Sequence, residues 1–279
     1  MEKRIGVIGG DRRQIFLAGL LEENGWQVHT WGLEQGDPPH PATLDKVLTA
    51  DILLLPLPIL RSGSFPLPLT EEALSPDQLW SKIRPHQLVL GGMVGNLPEI
   101  LQEKYGITLL DYFAPEIVQI LNAVPTAEGA IQYAMEASDG ILQGSRCLIT
   151  GYGRIGKVLC HRLLSLGAEV SVTARSREAL TWAKVLGAKP VPLSMLADAM
   201  PRFDFVFNTV PARLLDAALL ERTSPRCILM ELASGGFDPK DAADRIVISA
   251  GGLPGKVAPK EAAAALLEGI TICLEESFG

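Results

Sequence analysis

The sequence has little of what several protein classes require. No apolar run approaches the ~20 residues of a membrane helix; the leucine-rich stretch from Ile52 to Leu60 is short and broken by Pro56 and Pro58. The four cysteines, Cys147, Cys160, Cys227 and Cys273, lie far apart, with no C-x-x-C spacing and no companion histidine cluster. That excludes a disulfide framework or a zinc site and reads as buried thiols in a reducing compartment, with no metal expected. Basic charge is also short: the net charge of −7 argues against general nucleic-acid binding. The four histidines are His29, His40, His86 and His161. None follows a late strand, where a 2-hydroxy acid dehydrogenase places its acid/base histidine, and no Ser-His-Asp order or P-loop is present. Met1-Glu2-Lys3-Arg4 leads directly into strand-like Ile5 to Ile8, so no signal peptide is expected and the expected location is the cytoplasm.

What is present is a soluble-type composition, 47% hydrophobic and 20% charged over 279 residues, enough for two domains of ordinary size. The most informative stretch is Gly151-Tyr152-Gly153-Arg154-Ile155-Gly156. It follows the apolar run Cys147 to Thr150 and opens a helix-like segment from Lys157 to Leu166. Strand, G-x-G-x-x-G and helix in that order are the context of a dinucleotide fingerprint. The first glycine permits the turn, the second lets the backbone approach a pyrophosphate, and the third lets helix and strand pack closely. The helix start adds unpaired N–H groups and a positive dipole end. The next strand, Glu169 to Thr173, runs into Ala174-Arg175-Ser176-Arg177. An NAD site usually carries an acidic residue there for the ribose hydroxyls. A guanidinium and a hydroxyl suit a phosphate instead, so NADP is the expected cofactor.

Apolar strands separated by crossover-length segments recur along the whole chain: 5–8, 28–31, 51–55, 88–91 and 107–110, then 147–150, 169–173, 189–191, 203–208, 228–231 and 246–249. This alternation predicts an α/β protein of two doubly wound parallel-sheet domains. The expected division is a substrate domain over 1–121 and a Rossmann domain over 122–257. A connecting helix is expected over 126–138, with Thr126 or Asn122 as its N-cap. The Ala- and Leu-rich segment 258–279 is expected to be a helix that packs back on the first domain.

Ligands of such sheets sit beyond the carboxyl ends of the strands. Asn208-Thr209-Val210-Pro211 ends one strand and is expected to border the cofactor; Glu231-Leu232-Ala233-Ser234-Gly235-Gly236 ends the next. The run from Gly251 to Lys260 ends the last, with Lys256 a candidate for a substrate carboxylate. Arg12 and Arg13, at the first turn of the first helix, are candidates for an anion site. Asn122, Thr126 and Glu128 belong either to a helix start or to a ligand contact.

Five blocks together resemble the A-subunit family of dipicolinate synthase: Ile8 to Arg12, Asn122 to Gly129, the glycine fingerprint, Glu231 to Ser234, and Gly252 to Lys260. Glu261 departs from the family pattern, and Phe237 follows Gly236 where that pattern varies. The resemblance implies a fold like that of 2-hydroxy acid dehydrogenases, with a formate/glycerate dehydrogenase-like N-terminal domain beside a Rossmann domain. It implies NADP-dependent oxidation of dihydrodipicolinate, or its hydrated precursor, to dipicolinate. It further implies the flavoprotein-like B-subunit of dipicolinate synthase as partner, the mother cell of a sporulating bacterium as the setting, and a homo-oligomer. The small dicarboxylate substrate would then engage Arg12 or Arg13, Lys256, Asn122, Thr126 and Ser234, and Glu128 or water would take the departing proton. Two other readings stay open: another NADP-dependent 2-hydroxy or 2-keto acid oxidoreductase, and a non-catalytic NADP-binding scaffold protein.

Overall fold

The computed structural model describes residues 4–242 and 244–278. Residues up to Asn122, together with those from Ala258 onward, form one compact unit, and Ala123–Val257 form a second. Both are parallel-sheet α/β domains. Among the described residues no helix is long and apolar enough to cross a membrane.

The first unit holds β1 (Arg4–Ile8), β2 (Gln27–Trp31), β3 (Ile52–Leu54), β4 (Leu88–Gly91) and β5 (Thr108–Asp111) in the order β2-β1-β3-β4-β5. Every pairing is parallel. Such strands are covered on both faces and therefore read as unbroken apolar runs. The helices Arg12–Glu23 and Pro259–Phe278 pack on each other. A Cβ at Gly269 would collide with the Tyr112 carbonyl oxygen, so only glycine allows the last helix to lie this close.

The second unit holds β6 (Arg146–Thr150), β7 (Glu169–Thr173), β8 (Lys189–Pro190), β9 (Phe205–Asn208), β10 (Ile228–Glu231) and β11 (Ile246–Ser249). Their order is β11-β10-β9-β6-β7-β8, again all parallel. The order reverses between β6 and β9, which is where a doubly wound sheet opens its ligand crevice. Register places Thr173, Thr150, Asn208, Glu231 and Ser249 side by side across the carboxyl edge of β7, β6, β9, β10 and β11.

The connecting helix departs from its expected form. It spans Glu116–Glu136 with Pro125 inside it, so Asn122 and Thr126 lie within the helix and neither is its N-cap. A mid-helix proline removes one donor from the ladder. Here it does not end the helix, whose buried Ala123, Thr126, Ala127, Ala130 and Ala134 supply the packing. The Gly251–Lys260 run also differs: Leu253–Val257 is a short helix, which carries Lys256 on its surface.

Candidate functional site

Each fingerprint glycine is required for a different reason. Gly151 has φ +88°, and a Cβ there would lie 2.7 Å from Thr209 Oγ1. A Cβ at Gly156 would lie 2.5 Å from the Gly151 carbonyl oxygen, so helix and turn could not close. Gly153 has ordinary φ, and a Cβ would meet nothing within 4 Å. The second glycine therefore keeps space open on the side a ligand would use. Gly153 is also the N-cap of the helix Arg154–Ser165, and no side chain caps that helix. Its first-turn N–H groups and positive dipole end suit a pyrophosphate. Between the glycines, Tyr152 turns inward to the core, where burial raises its hydroxyl pKa and Cys160 is its neighbour. Arg154 is exposed and Ile155 half-buried, so the turn offers backbone rather than side chains.

At the end of β7, Arg175, Ser176 and Arg177 are all exposed. Ser176 caps the helix Arg177–Val185, its hydroxyl oxygen accepting from the Ala179 N–H at 3.3 Å. That leaves the hydroxyl hydrogen available to an acceptor. Neither arginine has a carboxylate within ion-pair distance among the described residues. Beside them the Thr173 hydroxyl is buried with no hydrogen-bond partner. An open glycine, an uncapped helix start and cations in place of an acidic residue fit a phosphorylated dinucleotide.

The end of β9 is built differently from its expected form. Asn208 is fully buried and engaged on every side. Its Nδ2 donates to Glu231 Oε1 and Oε2 at 2.9 and 2.8 Å and to the Val210 carbonyl at 3.2 Å. Its Oδ1 accepts from the Thr150 hydroxyl and from the Val210 N–H. Asn208 therefore holds the loop, and Thr209, Val210 and Pro211 are what the loop presents. Thr209 is anchored through its hydroxyl to the Thr150 carbonyl at 2.7 Å.

In the sequence Glu231 stands out only as the head of a strand-end block, with no role of its own. Its two oxygens also accept the Ala233 N–H at 2.9 Å and the Phe237 N–H at 2.7 Å. Burial raises its pKa; the Asn208 amide and the two N–H groups oppose that rise. The signal in the sequence is a polar residue closing each of two apolar strands, FVFN and ILME. Ser234 sits exposed on the loop that Glu231 braces.

The remaining candidates separate. Glu128 is exposed and faces Arg162 at 3.4 Å. Arg162 lies two turns along its helix, roughly 12 Å of rise from the pyrophosphate end, so Glu128 is occupied away from that end. Lys256 is exposed and has no ion-pair partner among the described residues. Asn122 is half-buried and Thr126 buried within their helix. In the first unit, Asp11 caps the helix Arg12–Glu23 with its own carboxylate, accepting from the Arg13 N–H at 3.0 Å. The same carboxylate binds the buried Arg13 guanidinium at 2.9 and 2.8 Å, and Arg13 also donates to the Leu57 carbonyl. The chain thus supplies the anion expected from a ligand at that helix start. Arg13 is removed as a substrate candidate, and the exposed Arg12, over the Phe16 ring at 5.9 Å, stays. All four cysteines are free and buried, with burial pushing the Cys147 thiol up to about 12; none is a ready nucleophile.

The fold and this carboxyl-edge site define a nicotinamide-dinucleotide-binding protein with a dehydrogenase-type fold. Residues 116–244 match the family described as D-isomer specific 2-hydroxyacid dehydrogenase, NAD binding domain. Residues 4–113 match the family described as the N-terminal domain of the dipicolinate synthase A-subunit. The chain is 29% identical to the dipicolinate synthase A-subunit of Bacillus subtilis (strain 168), covering 98% of this chain and 96% of that one. The crystal structure of the dipicolinate synthase A-subunit from Bacillus halodurans superposes with a TM-score of 0.88 at 28% identity, covering 98% of both chains. That of the Bacillus subtilis protein gives 0.83 at 28% identity, covering 99% of this chain and 97% of the other. The chain is thus similar to the dipicolinate synthase A-subunit along nearly its whole length.

Proposed function

We propose that the chain catalyses the NADP-dependent oxidation of dihydrodipicolinate, or its hydrated precursor, to dipicolinate, as one component of a two-component synthase. The observation that carries this reading is the similarity to the dipicolinate synthase A-subunit across both domains. The phosphate-suited end of β7 supports NADP over NAD, because Arg175, Ser176 and Arg177 stand where an NAD site places a carboxylate.

NADP⁺, when bound, supplies the two-electron acceptor. The chain's own part is mainly positioning. From the hydrated precursor one water is first eliminated; loss of a hydride and a proton then turns the dihydropyridine ring into a pyridine, and the gain of aromaticity drives this oxidation. The uncapped start of the Arg154–Ser165 helix orients the pyrophosphate. Arg175, Ser176 and Arg177 hold the ribose phosphate, and the Thr209–Pro211 loop borders the nicotinamide. Within the second unit, Lys256 and the Ser234 hydroxyl are the groups offered to a substrate carboxylate, with Thr126 buried in its helix; within the first, the exposed Arg12 is the candidate cation and Asn122 is half-buried. With Glu128 held by Arg162, water takes the proton.

The test is an in situ assay. Dihydrodipicolinate is generated by its upstream synthase, and this chain is added with NADP⁺, alone and with a partner resembling flavin-binding decarboxylase-like proteins. Chromatography should show dipicolinate. A chain that binds NADP⁺ but forms none under either condition is a scaffold, and the reading fails.

A further inference from the structure

A buried carboxylate is costly unless it is well hydrogen-bonded, and an apolar side chain of similar size would fill the same space more cheaply. Glu231 nevertheless occupies the end of β10 with four donated contacts: two from Asn208 Nδ2 and one each from the Ala233 and Phe237 N–H groups. No hydrocarbon could replace these. The surroundings are shaped to admit them, since a Cβ on Gly236 would collide with both Glu231 Oε2 and Asn208 Nδ2. Through Asn208 the same carboxylate governs the next loop, where Val210 is gripped at both its N–H and its carbonyl. Thr150 closes the other side of Asn208. One row of side chains across three strand ends therefore ties together the loop after β9 and the loop after β10.

We propose that Glu231 is a positioning residue that fixes the Asn208–Pro211 loop and the Ala233–Phe237 loop in a single arrangement, so that the surface bordering the nicotinamide and the surface carrying Ser234 are set together. This rests on the proposed assignment of those loops to cofactor and substrate. Glutamine at 231 keeps the shape but turns one acceptor oxygen into an N–H donor. That donor faces the Asn208 amide or a backbone N–H, all donors themselves. The carboxylate acts through the loops and touches no reacting atom.

The test compares wild type with Glu231→Gln and Gly236→Ala, well below their melting transitions. NADP⁺ affinity is read by calorimetry, and amide hydrogen exchange by mass spectrometry over peptides covering the two loops. The expected result is NADP⁺ affinity weakened about tenfold or more, with faster exchange in both loops in both variants. Unchanged NADP⁺ affinity, or faster exchange confined to Ala233–Phe237, overturns the proposal. If Glu231→Gln does not fold, Thr150→Val removes one hydroxyl of the network while keeping the carboxylate, and it is held to the same two readouts. Weakened NADP⁺ binding in the variants, together with a wild-type chain that makes no dipicolinate, would contradict the proposed reaction and leave the positioning role standing.

Discussion

Asn208 and Glu231, the last residues of two neighbouring parallel strands, face each other with the Asn208 amide nitrogen 2.9 and 2.8 Å from the two carboxylate oxygens. The pair is buried and has one correct polarity: amide donating, carboxylate accepting. Replacing Asn208 with Asp sets two carboxyl groups against each other in a low-dielectric site. At neutral pH Asn208→Asp should lose about 3 kcal/mol of stability. The loss should shrink in acid as one of the two carboxyl groups takes up a proton. Thermal melts across pH check this, and a loss independent of pH would mean that the two groups do not interact.

The open space at Gly153 separates binding from folding. Gly153→Ala adds a methyl that meets no protein atom but replaces the N-cap glycine of Arg154–Ser165, so it should cost no more than about 1 kcal/mol of stability. Its affinity for NADP⁺ should nevertheless fall, because the methyl enters the space the pyrophosphate would use. Gly156→Ala should lose stability as well, since its Cβ would press on the Gly151 carbonyl. Equal NADP⁺ affinity in Gly153→Ala and wild type would place the dinucleotide elsewhere.

Cofactor choice should follow the end of β7. Arg175→Ala should raise the KM for NADP⁺ roughly tenfold, as expected for one lost charge-assisted hydrogen bond, and should leave the KM for NAD⁺ nearly unchanged. Steady-state kinetics with both cofactors decide the matter. An equal rise for both would make the arginine a general contact rather than a phosphate contact.

Asp204 gives a pH prediction away from the site. Partial burial favours its protonated form, but the side chain and N–H of Arg146 outweigh this and hold the carboxyl below its ordinary value of 3.8. A depressed folded-state pKa contributes stability that is present above the unfolded pKa and lost as pH falls through the folded one. Asp204→Asn should therefore cost about 1 kcal/mol at neutral pH, the pair being half-exposed. The gap from wild type should close as the pH falls below the ordinary carboxylate range. Urea melts across pH would show it; a gap that widens in acid would reverse the sign.

Much of the fold was legible because parallel strands covered on both faces leave unbroken apolar runs between turn residues; 169–173, 228–231 and 246–249 match to the residue. The glycine fingerprint was legible because its spacing is local. The helix Glu116–Glu136 was not, since Pro125 reads as a break, whereas an alanine-lined buried face carries the helix through it. The pairing of Glu231 with Asn208 was hidden because the two are 23 residues apart, and only strand register brings them together. Arg13 misleads for a related reason: the sequence shows a cation at a helix start, but not that Asp11 already neutralises it.

The most direct test of the proposed reaction is its stoichiometry. The wild-type chain, its partner and NADP⁺ are supplied with dihydrodipicolinate generated in situ, and NADPH and dipicolinate are quantified from the same reaction. Equal amounts of the two, formed only when this chain is present, are the predicted result. Dipicolinate forming at the same rate without this chain, or without matching NADPH, would contradict it.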